Sequence, residues 1–571
     1  MRNLQIISLF VIIVFQAGCF NAFSSNDSKD KNLLTALIVA AGGLIPGGDE
    51  GTPSVSVTSI KNNGVLKSGF IFGSASNSGT ATITTVEVSL DGGAYQAATG
   101  TTVWNYQMPT GVNIWKDGTE HTINVRSVNS ASAYSDVTTL TVRKGVNCDV
   151  NGDGYQDMAV GAPRYNSKQG RVYIYHGSPA GIGTSSSKTL TGENTADQFG
   201  VSLVLGDING DGYSDCVVGA SGYNSKTGRI YVYFGSTDGI NSTSSPPSQA
   251  RDGATSAENF GGPLDIGDVN GDGYEDLAVG APQYNTNWGR AYIYHGASSG
   301  ISASANQTLT GASGSHFGGK LVIGDTNGDG YGELAVSAPT TTNGNVYMFN
   351  GSGTGIGSTA SKTLTGENSG DSFGFSLTLG DINGDGYGDL VASSPFYSSG
   401  TGRLYIFNGS STGIDDVSTP LHIDAEAAGI YLGSSMTLGD VNRDGYLDLV
   451  YDAPGFTSGT FTMAGRVYVH HGTGTGLNVT ASQTLTGGAT NMWFGFSVAL
   501  GDINGDGYDD LAAGTPYPDT NTGIVNLFHG SSTGIASSSS RTLTGEGTNN
   551  GFGYSVSLGN IESDDWNSIN F

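Results

Sequence analysis

Asp149-Val150-Asn151-Gly152-Asp153-Gly154-Tyr155-Gln156-Asp157 decides the fold, because the stretch occurs seven times. Further copies begin at Asp207, Asp268, Asp325, Asp381, Asp440 and Asp502. The starts are 58, 61, 57, 56, 59 and 62 residues apart, so the chain carries an internal repeat.

Oxygen-bearing side chains fall at positions 1, 3, 5 and 9 of every copy. They are Asp149, Asn151, Asp153 and Asp157, then Asp207, Asn209, Asp211 and Asp215, then Asp268, Asn270, Asp272 and Asp276. The fourth copy supplies Asp325, Asn327, Asp329 and Glu333, and the fifth Asp381, Asn383, Asp385 and Asp389. The last two supply Asp440, Asn442, Asp444 and Asp448, and Asp502, Asn504, Asp506 and Asp510. Position 7 is always tyrosine (Tyr155, Tyr213, Tyr274, Tyr331, Tyr387, Tyr446, Tyr508), with a backbone carbonyl to offer. Three carboxylates, an amide oxygen and a carbonyl make a shell for a hard cation. Position 6 is always glycine, where the backbone must turn sharply. Ca²⁺ suits the shell better than Mg²⁺, which keeps its waters and demands stricter geometry. Up to seven structural Ca²⁺ are expected.

An EF-hand would need Glu at position 12 and flanking helices. Position 12 is instead Val160, Val218 or Val279 in the first three copies, and the flanks, such as Leu203 to Leu205 and Cys216 to Val218, read as strands. A solvated acidic turn would explain one copy, but not seven with one pattern.

Composition agrees. The 571 residues hold 92 Gly, 15 Pro and few charges, as short strands joined by tight turns require. Net charge is −27, yet 21 of the 50 carboxylates belong to the repeated loops, and seven Ca²⁺ would reduce the total to −13. No basic stripe exists to contact phosphates, so nucleic-acid binding is excluded.

Residues 1–19 read as a lipoprotein signal peptide: Arg2, an apolar run from Leu4 to Phe15, then Gln16-Ala17-Gly18-Cys19. Cys19 becomes the lipidated N-terminus, which makes the membrane a partner through the anchor and places the protein in a bacterial cell envelope, at the outer membrane or cell surface. An ordinary secretory signal is the alternative. Residues 20–51 form a tether and linker. Within it, Leu33 to Ile45 is too short to span a bilayer. Residues 52–144 alternate as strands (Val55 to Val57, Val86 to Leu90, Thr122 to Val125, Leu140 to Val142), which suggests a β-sandwich. The stretch Val86 to Gly100 resembles bacterial immunoglobulin-like repeats, and a spacer is the plain role.

Residues 146–571 are the array. Each unit runs from a strand such as Phe199 to Gly206, through the metal loop, to three more strands typified by Asp276 to Pro282, Gly170 to Ser178 and Lys188 to Gly192. Four strands per unit at near-regular spacing is the pattern of a propeller blade. The Phe-Gly opening, the cation loop and the Gly-Ala-Pro closing resemble the FG-GAP repeats of integrin α-subunits over about 420 residues. Departures include Leu432-Gly433 for Phe-Gly, and Ser337, Ser393 and Asp452 for the glycine of Gly-Ala-Pro, taken as changes in turns. The first loop lacks a preceding Phe-Gly strand, while a spare one, Phe552 to Gly559, follows the seventh. The C-terminal strand is therefore expected to complete the first blade of an all-β, seven-bladed propeller and hide its edges. Asn560 to Trp566 has lost the loop glycines, so no eighth metal is assigned.

No catalytic constellation stands out. Gly-x-Ser-x-Gly occurs at Gly296, Gly409 and Gly530, always in the same turn and never opening a helix. His176, His295, His471 and His529 share one repeat position and read as turn residues. Cys148 and Cys216 could pair, but Cys216 occupies a Leu or Val position, which favours a buried thiol. Two functions stay open: adhesion or binding to a protein or extracellular-matrix ligand, which the integrin resemblance implies, and glycan binding. Trp288 has no counterpart in the other units, which weighs against repeated glycan sites.

Overall fold

The computed structural model describes residues 51–57, 65–66, 70–107, 120–144, 148–240, 247–415, 420–517 and 522–558. The signal peptide, Cys19, nearly all of the tether and Asn560 to Trp566 lie outside the described residues.

In the N-terminal region alternation does its expected work. In Ile83–Leu90, Ile83, Val86 and Val88 are buried while Thr84 is exposed and Glu87 half-buried. That strand belongs to a five-stranded sheet with Glu120–Asn129 and Thr138–Lys144. A four-stranded sheet holds Pro53–Val57, Phe70–Asn77, Thr99–Gly100 and Val103–Gln107. Both sheets contribute to one core, centred on Trp104, Ile71, Val86 and Ile123. Gly73 is required there: a Cβ would stand 2.4 Å from the Trp104 ring.

The array forms seven four-stranded antiparallel sheets. The second sheet is typical: Ser202–Gly206, Asp215–Ala220, Arg229–Tyr233 and Gln249–Asp252, in that order. All six residues of Asp215–Ala220 are buried, because both faces of the sheet are covered. Cys216 and Val218 enter a core shared with the first sheet, and Val217 a core shared with the third. Seven such cores occur, each built from two successive sheets, and one joins Ala499, Ala512 and Val525 of the last sheet to Met158, Val160 and Tyr173 of the first. The array closes on itself.

The closing strand is the C-terminal one. Ser555–Ser557 pairs antiparallel with Met158–Ala162, in register Gly161↔Ser555 and Ala159↔Ser557. Phe552 and Leu558 are buried beside it, and Phe552 meets Tyr173 edge-on at 5.2 Å, as Phe199 meets Tyr231 and Phe260 meets Tyr292. Glu546 reaches Arg171 across the closure at 2.7 Å, the contact made by Glu193 with Arg229 and Glu367 with Arg403. The junction of last and first sheets therefore reuses the chemistry of the internal ones.

One expectation is corrected. The glycine of Gly-Ala-Pro, with its substitutes Ser337, Ser393 and Asp452, lies inside the second strand and not in a turn. The Phe-Gly of the next sheet approaches there: a Cβ on Gly161 would stand 2.2 Å from the Gly200 carbonyl. Connections from second to third strands also hold left-handed turns, such as Asn166-Ser167-Lys168 at φ 45°, 60° and 65°.

Candidate metal centres

Strands alternate in direction, so every first-to-second-strand loop emerges on one face of the array together with the third-to-fourth-strand turns. Those loops are the nine-residue repeats. Each winds around its first aspartate. Asp149 Oδ1 accepts the N–H groups of Asn151 (3.2 Å), Gly152 (2.6 Å) and Asp153 (3.3 Å), and Oδ2 accepts that of Gly154 (2.8 Å). Asp268 repeats all four bonds. The Asn151 side-chain oxygen accepts the N–H of Asp153 at 2.9 Å, and Asp153 Oδ1 that of Tyr155 at 3.1 Å. Both bonds recur in the six other copies between 2.8 and 3.1 Å. Positions 1, 3 and 5 are thus gathered by their own backbone, as Asx side chains in tight turns favour.

Position 9 has a second duty. Asp157 immediately precedes the second strand, and its oxygens accept the N–H groups of Val150 (2.8 Å) and, twenty residues on, Gly177 (2.9 Å). Asp276, Asp389 and Asp448 make the equivalent pairs with Val269 and Gly296, Ile382 and Gly409, and Val441 and Gly472. The longer Glu333 bonds instead to the Thr326 N–H and hydroxyl, both at 2.8 Å, where other loops carry Val or Ile. This carboxylate clamps the loop to the end of the third strand.

The tyrosines also do more than offer a carbonyl. The Tyr213 ring covers Gly152 of the preceding loop, where a Cβ would stand 2.5 Å away, and Tyr274, Tyr331, Tyr387 and Tyr446 cover Gly210, Gly271, Gly328 and Gly384 alike. Tyr155 covers Gly505, joining the last loop to the first. The sixth loop has Arg443 in place of the glycine, its guanidinium 6.0 Å from the Tyr508 ring. Backbone bonds run the same way: Ser214 to the Asp149 carbonyl at 2.8 Å, and Ser178 to that of Ile503 at 3.2 Å across the closure. The four histidines pack on the turn glycine of the next sheet, His176 on Gly239 and His529 on Gly181 among them. Burial lowers the pKa of His176, His295 and His471, which keeps them neutral.

Charge makes these loops unusual. Burial, then mutual repulsion, pushes the position-9 carboxyls of Asp157, Asp276, Glu333, Asp448 and Asp510 up to about 8, and that of Asp389 to about 7. The position-1 carboxyls of Asp268, Asp325, Asp381, Asp440 and Asp502 rise to about 6 for the same reasons. Among the described residues no three Asp, Glu, His or Cys side chains already converge on a single point. The donor set still fits a hard cation: it is all oxygen, half-buried and mutually repelling. A cation held by positions 1, 3, 5 and 9 would supply the missing positive charge. Cys148 and Cys216 are buried thiols in the core between the first two sheets.

The FG-GAP-like repeat family matches residues 149–218, and the FG-GAP repeat family matches 260–294, 317–349, 373–407, 432–470 and 494–527. Integrin alpha-PS2 of Drosophila melanogaster is 35% identical over 222 residues, covering 35% of this chain and 15% of that protein. Phosphatidylinositol-glycan-specific phospholipase D of Bos taurus is 34% identical over 175 residues, 28% of this chain and 21% of that enzyme. Integrin alpha-4 of Xenopus laevis is 34% identical over 205 residues, 33% and 18% respectively. The chain thus spans about a fifth or less of these relatives. The Dos1 propeller aligns at a TM-score of 0.35 and 12% identity, over 62% of this chain and 71% of that one, too distant to bear on function. The FG-GAP matches and the integrin alpha relatives support an integrin-like FG-GAP β-propeller for the repeat region.

Proposed function

We propose that this is a surface-anchored binding protein in which a seven-bladed, calcium-stabilised propeller engages a protein partner in adhesion. On this proposal Cys19 carries the lipid, residues 20–51 tether the molecule to a bacterial envelope, and residues 52–144 are an immunoglobulin-like β-sandwich that spaces the propeller from the membrane. Residues 146–571 form the propeller, with up to seven Ca²⁺ in its loops.

The observation that carries the reading is the closed array of repeats in which every loop leans on its neighbour. Such an array offers a broad rigid surface, and it resembles integrin α-chains in the repeats themselves. The protein is proposed to be no enzyme. Its Gly-x-Ser-x-Gly stretches lie in turns after third strands, and the four histidines at the shared repeat position pack on turn glycines. The phospholipase activity named for one relative belongs to that enzyme, of which this chain covers about a fifth.

The test is capture of partners from extracellular matrix and cell-surface extracts on immobilised lipid-free protein, in Ca²⁺ and in chelator. A specific protein retained in Ca²⁺ and lost with the folded ring is expected. Turnover of a phosphoester or glycosidic substrate with no retained protein would refute the reading.

A further inference from the structure

On the face away from the metal loops the repeat is broken, and aromatic side chains break it. The second-to-third-strand and sheet-to-sheet connections emerge there. Of eight exposed large apolar side chains among the described residues of the array, six lie in those connections: Trp288, Phe375, Phe396, Tyr431, Phe461 and Met463. Three of them touch at the junction of the fifth and sixth sheets. Ring centroids are 6.1 Å apart for Phe375 and Phe396, and 5.7 Å for Phe396 and Tyr431, with each residue 40–43% exposed.

One of the three also occupies a strained backbone position. Tyr431 sits at φ +56°, a left-handed conformation unfavourable for any residue with a side chain. The position just before Phe-Gly is left-handed in other sheets too, but Gln198, Asn259, His316 and Ser372 fill it there, and Gly551 in the closing strand. Only Trp493 matches Tyr431 in bulk. Phe396 leads into exposed Ser398 and Ser399, whose left-handed backbone at φ 49° and 63° is shared by the equivalent connections of the first three sheets. Strain kept at an exposed ring points to a contact outside the chain.

Charge and size indicate what that contact is. The flanking ionic groups are spent on one another: Arg403 pairs with Glu367 at 3.1 Å and Asp424 at 2.6 Å, and Glu426 with Arg466 at 2.6 Å. These two guanidiniums and three carboxylates sum to only −1, so an anionic partner is disfavoured and a cationic one gains a single charge. Three rings at two-fifths exposure offer about 240 Å² of apolar surface, well under the roughly 800 Å² that each side of a stable protein interface buries. We propose that Phe375, Phe396 and Tyr431 form a stacking site for a neutral glycan, with a sugar ring laid on the aromatic faces and its hydroxyls meeting those of Ser398 and Ser399. The site needs neither a cation nor the protein partner proposed above, so either reading survives failure of the other.

The test is native electrophoresis of the purified chain through gels containing neutral mannan, β-glucan or galactan, beside heparin and polygalacturonate gels. Retardation in at least one neutral gel is expected, weakened about ten-fold in Phe375→Ser and Tyr431→Asn and unchanged in Trp288→Ser. Tyr431→Asn should melt no lower than the parent, since Asn accepts the left-handed backbone. The proposal falls if no neutral gel retards the chain, if only anionic gels do, or if the variants are retarded as strongly as the parent. It falls equally if sedimentation shows a dimer that Phe375→Ser dissolves, because the patch would then join two copies of the chain.

Discussion

The two faces of the propeller keep the repeat with different strictness. On the loop face the nine-residue unit returns seven times, and six copies hold a glycine under the next loop's tyrosine. On the opposite face the same repeat position holds Gln198, Asn259, His316, Ser372, Tyr431 or Trp493. Units that must touch one another share a residue because the neighbour's ring leaves no room for a side chain. Connections that face solvent carry no such constraint. A departure on the loop face is therefore a structural compromise, and a bulky departure on the other face points outward.

The most severe way to break this comparison is to open the ring that carries both faces. Ending the chain before Phe552 removes two buried side chains, Phe552 and Leu558, and bares the edge of Met158–Ala162. A loss above about 5 kcal/mol is expected, read as aggregation or a collapse of the thermal transition. A truncated chain that melts like the parent would show that closure is dispensable.

Acidity tests the loop face next. Without a cation, the position-9 carboxyls stand near 8 in the folded protein and near 3.8 when unfolded. Between those values the folded state binds more protons than the unfolded, so stability falls as pH rises. Chelated protein should melt higher near pH 5 than near pH 8, and Ca²⁺ should shrink or reverse that difference. A chelated protein that is more stable at the higher pH would contradict the charge account.

Smaller effects sharpen the contrast. Gly271→Ala, at φ +68° and 2.8 Å from the Tyr331 ring, should cost about 1–3 kcal/mol in denaturant unfolding. Arg443→Gly relieves a residue at φ +59° and should be neutral or stabilising by about 1 kcal/mol. Exposed-face changes such as Phe375→Ser should alter stability by no more than about 0.5 kcal/mol. If the two faces responded alike, the division of labour between them would be wrong.

The repeat, the four strands per unit and the closing Phe552 strand were legible because each is written in contiguous residues. The cation-type loop was legible too, since its spacing is local. What escaped joins residues far apart. The clamp from Asp157 to Gly177 left a trace, a separation of twenty residues that Asp215 and Gly235, and Asp276 and Gly296, repeat, although Asp448 and Gly472 stand 24 apart. The tyrosine-on-glycine contacts link one unit to the next and show in no single copy. Gly-Ala-Pro was placed in a turn because Gly and Pro signal turns, whereas packing against the next Phe-Gly holds Gly161 in a strand. Phe375, Phe396 and Tyr431 come from three connections, and only the fold assembles them.

The central claim, that the loop face is a ring of cation sites holding the propeller together, is tested most directly by calorimetric titration of metal-stripped protein with Ca²⁺, followed by melting of the same samples. The account predicts several bound ions per chain, at most seven, with affinities on the order of 10⁻⁴ to 10⁻³ M, and a melting temperature that rises as they bind. Mg²⁺ should restore little of it, and Asp211→Ala should remove one ion. No heat of binding, with a melting temperature indifferent to Ca²⁺ and to chelator, would contradict it.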